Sequence, residues 1–167
     1  MLRKQGGSTK ITVSRTSLAK AATRPKAKFP EVYRYFQTGC DNGCGDACLQ
    51  AGLIYGSGYV DGKKDKKCAL QYFEKGCDLD CTKSCYQASG LYIKGSDEVP
   101  KDMKKAFQLS LKACDKENAY ACQNLSLMYK SGKGVTKDLN AAARYQKIAL
   151  DIQEAHKKTQ NTIKFSE

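Results

Sequence analysis

The chain has 167 residues, nine cysteines, no tryptophan and a formal net charge of +12. No run of eighteen apolar residues occurs in it, so it carries no membrane-spanning helix. Eight Lys or Arg and no acid fall in residues 1–30, against twenty-one bases and seventeen acids in the rest, so most of the excess charge sits in a leader. No basic stripe interleaved with aromatics follows, and nucleic acid is not an expected partner.

Residues 1–29 are basic, rich in Ser and Thr, and free of Asp and Glu. That is the composition of a mitochondrial presequence or of a disordered basic tail, and it lacks the apolar stretch of a secretory signal. A helix is expected from about Pro30 to Gly39, covering the front of what comes next.

From residue 40 the chain repeats itself. Cys40/Cys48, Cys77/Cys85 and Cys114/Cys122 are three pairs of one spacing, each pair 37 residues beyond the last. Asp41, Asp78 and Asp115 follow the first cysteine of each pair, and Gly39, Gly76 and Ala113 precede it. Tyr55, Tyr92 and Tyr129 keep the interval, as do Gly58, Gly95 and Gly132. A period shared by so many residue types means one structural unit used several times.

Within a unit, a run such as Cys85 to Tyr92 reads as a short helix stopped by a turn, here Gly95 to Pro100. Ala106, Phe107, Leu109, Leu111 and Ala113 then lie at the spacing of one face of a second helix. Gly52, Ser89 and Ser126 share a register in the first helices, where only a small side chain lets helices approach closely. The tyrosines three residues on are expected to fill the space between helices. One such pair cannot bury its apolar face alone, so the pairs must stack. The expected fold is all-α, a right-handed α-solenoid of antiparallel helix pairs over residues 30–158. Its units are about 46–77, 83–114 and 120–153, with a tail at 159–167.

Each cysteine pair would tie the end of one unit to the start of the next. Structural disulfides are the expected state of Cys40, Cys48, Cys77, Cys85, Cys114 and Cys122. Zinc is the rival, against which stand the absence of any Cys-x-x-Cys and a single distant histidine, His156. Cys44, Cys68 and Cys81 lie outside the scheme as buried hydrophobes, an extra staple, or thiols for exchange or ligation. Cys44 and Cys81 share a register one unit apart and could face each other. Gln50, Gln87 and Asn124 also share a register, and amides both donate and accept, so they could hold the backbone of an extended peptide or bond between units. No nucleophile has a base in reach, and Ser110-Leu111-Lys112 is wrongly spaced for Ser-x-x-Lys chemistry. Asn124-Leu125-Ser126 is formally a glycosylation acceptor, but it falls at packing positions of a helix.

The composite motif is clearest in residues 121–143, where Ala-Cys, a small residue, Tyr129, a Gly-rich turn, Lys137-Asp138 and an Ala-rich helix follow in order. It resembles the Sel1-like repeat. Residues 100–158 resemble most the mitochondrial branch of that family, the cytochrome c oxidase assembly factor seven type, through Pro100-Lys101-Asp102-Met103, Lys112-Ala113-Cys114-Asp115 and a lysine-rich tail holding His156. Relatives in that branch have about five repeats where this chain has about three. The resemblance implies a non-catalytic, monomeric assembly factor of the mitochondrial intermembrane space, with clients among maturing respiratory-chain components. It equally admits a thiol reductant of the same pathway, or a haem carrier with an axial ligand from His156, Cys44, Cys68 or Cys81. A secreted, bacterial-type cysteine-rich repeat protein with β-lactamase or penicillin-binding activity is the further alternative. No metal is expected, and no cofactor besides the haem of the carrier reading.

Overall fold

The computed structural model describes residues 29–164 apart from 60 and 61, and the basic leader lies outside the described residues. Those residues form seven helices: α1 (Phe29–Asp41), α2 (Gly45–Ser57), α3 (Lys66–Asp78), α4 (Thr82–Lys94), α5 (Met103–Cys114), α6 (Ala119–Ser131) and α7 (Leu139–Lys164). Each helix packs on the next in sequence, and α2 also touches α4, so the array is the stacked solenoid of helix pairs that the repeat implies.

Every hairpin is closed by the same devices. Gly58, Gly95 and Gly132 take positive φ of 81°, 67° and 69° just after the first helices, a conformation that only glycine adopts freely. Then the Asp65, Asp102 and Asp138 backbone N–H groups donate to the carbonyls of Tyr55, Tyr92 and Tyr129, at 3.1, 3.1 and 3.0 Å. The same aspartates start the second helices: Asp65 accepts from the Cys68 N–H at 2.7 Å and Asp102 from Lys105 at 3.0 Å. Asp138 accepts from Asn140 and Ala141 at 2.9 and 3.0 Å. The Lys-Asp of the sequence motif is thus an N-cap, satisfying donors that a helix start leaves over.

The joints between units are equally regular. Cys44, Cys81 and Asn118 donate their backbone N–H to Gly39, Gly76 and Ala113 at 2.9, 2.9 and 3.1 Å. Beside them the chain turns through positive φ at Gly43, Asp80 and Glu117, again one register. Three disulfides cross these joints, Cys40–Cys48, Cys77–Cys85 and Cys114–Cys122, with Cα separations of 4.6, 4.6 and 4.8 Å, inside the range such a bond requires. All six cysteines are buried.

Close approach at the joints depends on small residues. A Cβ on Gly39 would stand 2.9 Å from that of Ala47, and one on Gly76 would stand 2.4 Å from Ser84 Oγ. Gly52 lies under the Phe73 ring, whose nearest carbon would be 2.5 Å from an added Cβ. In the third unit Ser126 holds the same register and donates to the Ala142 carbonyl at 2.8 Å, bonding first helix to second. The tyrosines do fill the space between helices: Tyr55 stacks on Tyr72 and Tyr129 on Tyr145, each with ring centroids 5.5 Å apart. Position 109, in the register of Tyr72, is leucine, and there Tyr92 instead donates its hydroxyl to Glu74 at 2.6 Å.

Two buried hydroxyls, Ser84 and Ser110, have no hydrogen-bond partner among the described residues. An unsatisfied buried hydroxyl costs stability, whereas a methyl in its place does not. The register of Ser84 is alanine in the other units, Ala47 and Ala121. Ser84→Ala and Ser110→Ala are each expected to stabilise the fold by about 1 kcal/mol, read as a higher urea midpoint at unchanged slope. A fall in midpoint would contradict this account.

The last helix is the longest among the described residues, and it runs on to Lys164, into the segment set as a tail at 159–167. Where the chain reads Gly-Cys-Asp at the end of α3 and Ala-Cys-Asp at the end of α5, α7 carries Ala149-Leu150-Asp151, with no cysteine and no turn residue to stop it. Ala142 and Ala149 are buried against α6, while residues 154–160 are exposed.

Candidate functional site

The first helices α2, α4 and α6 present one repeated surface row. On each, residues at i, i+4 and i+7 share a face. These are Asp46–Gln50–Leu53, Lys83–Gln87–Gly90 and Tyr120–Asn124–Leu127. The central amides are half-buried and make no hydrogen bond to a described side chain or backbone group, so they do not bond between units. Their donors and acceptors are open to a ligand. Leu53, Leu127 and Tyr120 beside them are exposed, the last two at 63% and 61%. The direction in which a Gly90 side chain would point is empty to 4 Å, leaving a gap in the middle of the row. The Tyr86 and Tyr120 rings lie 5.9 Å apart between the second and third units. Unpaired amides flanked by exposed Leu53, Tyr120 and Leu127, with Asp46 and Lys83 of opposite charge in the same row, suit a polypeptide segment.

The joints between units carry ion pairs. Lys75 reaches Asp41 at 2.7 Å, and Lys116 and Lys112 reach Asp80 at 2.6 and 4.0 Å. Lys116 donating to it, with its charge, holds the Asp80 carboxyl below the usual carboxylate range. A carboxyl lowered on folding contributes stability at neutral pH that is lost as pH falls through its lowered value. These groups are exposed, so the contribution is small.

The three free thiols are not equivalent. Cys68 sits in the first turn of α3, where a hydrogen bond with Asp65 and then burial push its thiol up, so it is held protonated. Cys44 is exposed and Cys81 half-buried, at the starts of α2 and α4, and they are not bonded to each other. His156 is exposed on the projecting part of α7. No group of three or more His, Cys, Asp or Glu able to hold a metal ion occurs among the described residues. No described helix is long and apolar enough to cross a membrane. Asn124-Leu125-Ser126 lies within α6, with Leu125 fully buried and the Ser126 hydroxyl engaged.

The Sel1 repeat model matches residues 45–81, 82–118 and 119–151. No curated protein matches the chain. Among solved structures, the chain is similar to a Sel1 repeat protein from Oxalobacter formigenes, at 23% identity and a TM-score of 0.65, over 78% of this chain and 93% of that one. It is also similar to cysteine-rich protein B of Helicobacter pylori, at 26% identity and a TM-score of 0.54, over 81% and 88%. The third is c5321, a protective antigen of uropathogenic Escherichia coli strains, at 27% identity and a TM-score of 0.65, where 71% of this chain covers 25% of a longer one.

Proposed function

The chain belongs to the Sel1 repeat family, and from that premise we propose that it is a non-catalytic scaffold which holds an extended segment of a client protein along its first-helix row. The observation that carries this is the ladder of Gln50, Gln87 and Asn124, unpaired and half-buried in one register. Helices in contact lie about 8–10 Å apart and an extended strand rises about 3.4 Å per residue, so about six client residues span the three rungs. An amide ladder bonds backbone groups whatever the side chains, while Leu53, Leu127 and Tyr120 select for apolar ones.

Three disulfides in so short a chain suit an oxidising compartment. Together with the likeness of residues 100–158 to the mitochondrial branch, this supports the intermembrane space as the location and respiratory-chain components, chiefly of cytochrome c oxidase, as clients. The bacterial origin of the similar solved structures favours a second reading, a secreted repeat protein with the same kind of binding row.

A photo-crosslinking residue at Gln87, compared with one at exposed Lys104 on α5, tests the site and the client together in isolated mitochondria. Adducts with oxidase subunits from position 87 alone are expected, and equal or absent adducts would overturn the reading. With a client so identified, the triple replacement Gln50→Ala, Gln87→Ala and Asn124→Ala is expected to weaken binding by about 100-fold, at about 1 kcal/mol per lost bond, with helix content unchanged. Turnover of nitrocefin by the oxidised chain would move the assignment to an enzyme.

A further inference from the structure

We propose that Cys44 and Cys81 are the two halves of a reversible disulfide that locks the first unit to the second, apart from the three permanent bonds and independently of the client-binding reading. Both are free thiols in this structure. Cys44, Cys81 and Asn118 occupy the same register, the N-cap of a first helix. Asn118 does what an N-cap side chain does, accepting from the Ala121 N–H at 3.0 Å. Cys44 and Cys81 make no such bond, so two units forgo a cap to keep a thiol there.

The packing around them is the second observation. A Cβ on Gly45, the residue after Cys44, would stand 2.9 Å from Cys81 Cβ and 3.0 Å from the Leu79 carbonyl oxygen. Only glycine at 45 lets Cys81 come so near, whereas the register carries Thr82 and Ala119 in the other units. The Cys81 thiol points back toward α2, donating to Asp46 Oδ1 at 3.5 Å. On the other side of Cys44 stands Gly43, at φ +84° with nothing within 4 Å of where its side chain would be, which leaves the turn room to close. Cys81 therefore lies against the residue next to Cys44 at the seam between units, one thiol exposed and the other half-buried.

The oxidant required is a low-molecular-weight or protein disulfide. The exposed Cys44, as thiolate, attacks one of its sulfurs, forming a mixed disulfide and expelling one thiolate. Cys81, after losing its proton, attacks the Cys44 sulfur, forming the Cys44–Cys81 bond and expelling the second thiolate. Two protein thiols are oxidised and one external disulfide is reduced to two thiols, and the reverse exchange reopens the seam.

Equilibrating the full chain in glutathione buffers of graded oxidised-to-reduced ratio, followed by acid quench and alkylation, tests this directly. As the ratio rises, the three alkylatable thiols are expected to fall to one, Cys68, with a Cys44–Cys81 linked peptide in the digest. Cys68→Ser should leave that peptide intact, whereas Cys44→Ser or Cys81→Ser should abolish it. Stable glutathione adducts on Cys44 or Cys81 in place of the linked peptide, or three thiols still alkylatable at every ratio, would overturn the proposal. Unchanged helix content in the serine variants separates loss of the bond from loss of the fold.

Discussion

Replacing Cys77 and Cys85 together by alanine is expected to lower the stability of the chain by about 2–5 kcal/mol, the usual cost of removing a native disulfide from a small domain. The bond joins the end of α3 to the start of α4, residues 8 apart, at the joint between the first and second full units. In the loop-entropy model closing so short a loop restricts the unfolded chain by about 2.5 kcal/mol. Three equivalent bonds would then supply about 7.5 kcal/mol, comparable with the whole net stability of a domain, about 5–15 kcal/mol. The reason lies in the joint itself. The Ser84 side chain packs directly over Gly76 there, and buried Cys77 and Cys85 contribute part of the apolar core that larger side chains would otherwise fill. Urea unfolding followed by far-ultraviolet circular dichroism should show the lower midpoint, and full reduction should remove cooperative unfolding altogether. An unchanged midpoint in the double-alanine variant would mean that packing alone holds the units together.

Gly134→Ala is the largest single-site effect expected outside the cysteines. Gly134 has φ +79°, and a Cβ there would lie 2.2 Å from the Met103 carbonyl oxygen and 2.6 Å from its carbonyl carbon. Backbone strain and a clash with backbone, which cannot rotate away, combine to a cost of about 3 kcal/mol. Gly62 is the control. It has φ +70° but nothing within 4 Å of the missing Cβ, so Gly62→Ala should cost only the strain, about 1 kcal/mol. Equal effects from the two substitutions, measured as thermal or urea midpoints, would show that the contact of the third break with the start of α5 contributes nothing.

The repeat made most of this fold legible, because the interval acts on every device that closes a hairpin or a joint. The Lys-Asp caps, the glycines at 58, 95 and 132, and the cysteine pairs all recur for a local backbone reason, so each copy corroborates the others. What the sequence concealed is what the units do not share. Gly134 falls in the register of Asp97, so its contact with Met103 has no echo elsewhere in the chain. The bond of Tyr92 to Glu74 arises because Leu109 removes the ring that Tyr72 and Tyr145 supply in the other units. The length of α7 was hidden for the opposite reason. Nothing in residues 150–164 announces a stop, so spacing alone does not say where the last helix ends. At the candidate site, the register picked out the three amides, but only coordinates reveal that no neighbour occupies them. The unequal environments of Cys44, Cys68 and Cys81 likewise depend on the stacking of units, which spacing alone does not specify.

Placing covalent links at the turns also decides how the protein comes apart when its backbone is cut. Lys83 lies between Cys77 and Cys85, and Lys116 between Cys114 and Cys122. A protease that severs the chain after either lysine leaves the two pieces tethered through sulfur, so the nicked molecule travels as one body until a reductant releases it. A cut in a hairpin break, after exposed Lys64 or Lys133, would by contrast leave no covalent link between the pieces, because no disulfide spans those turns.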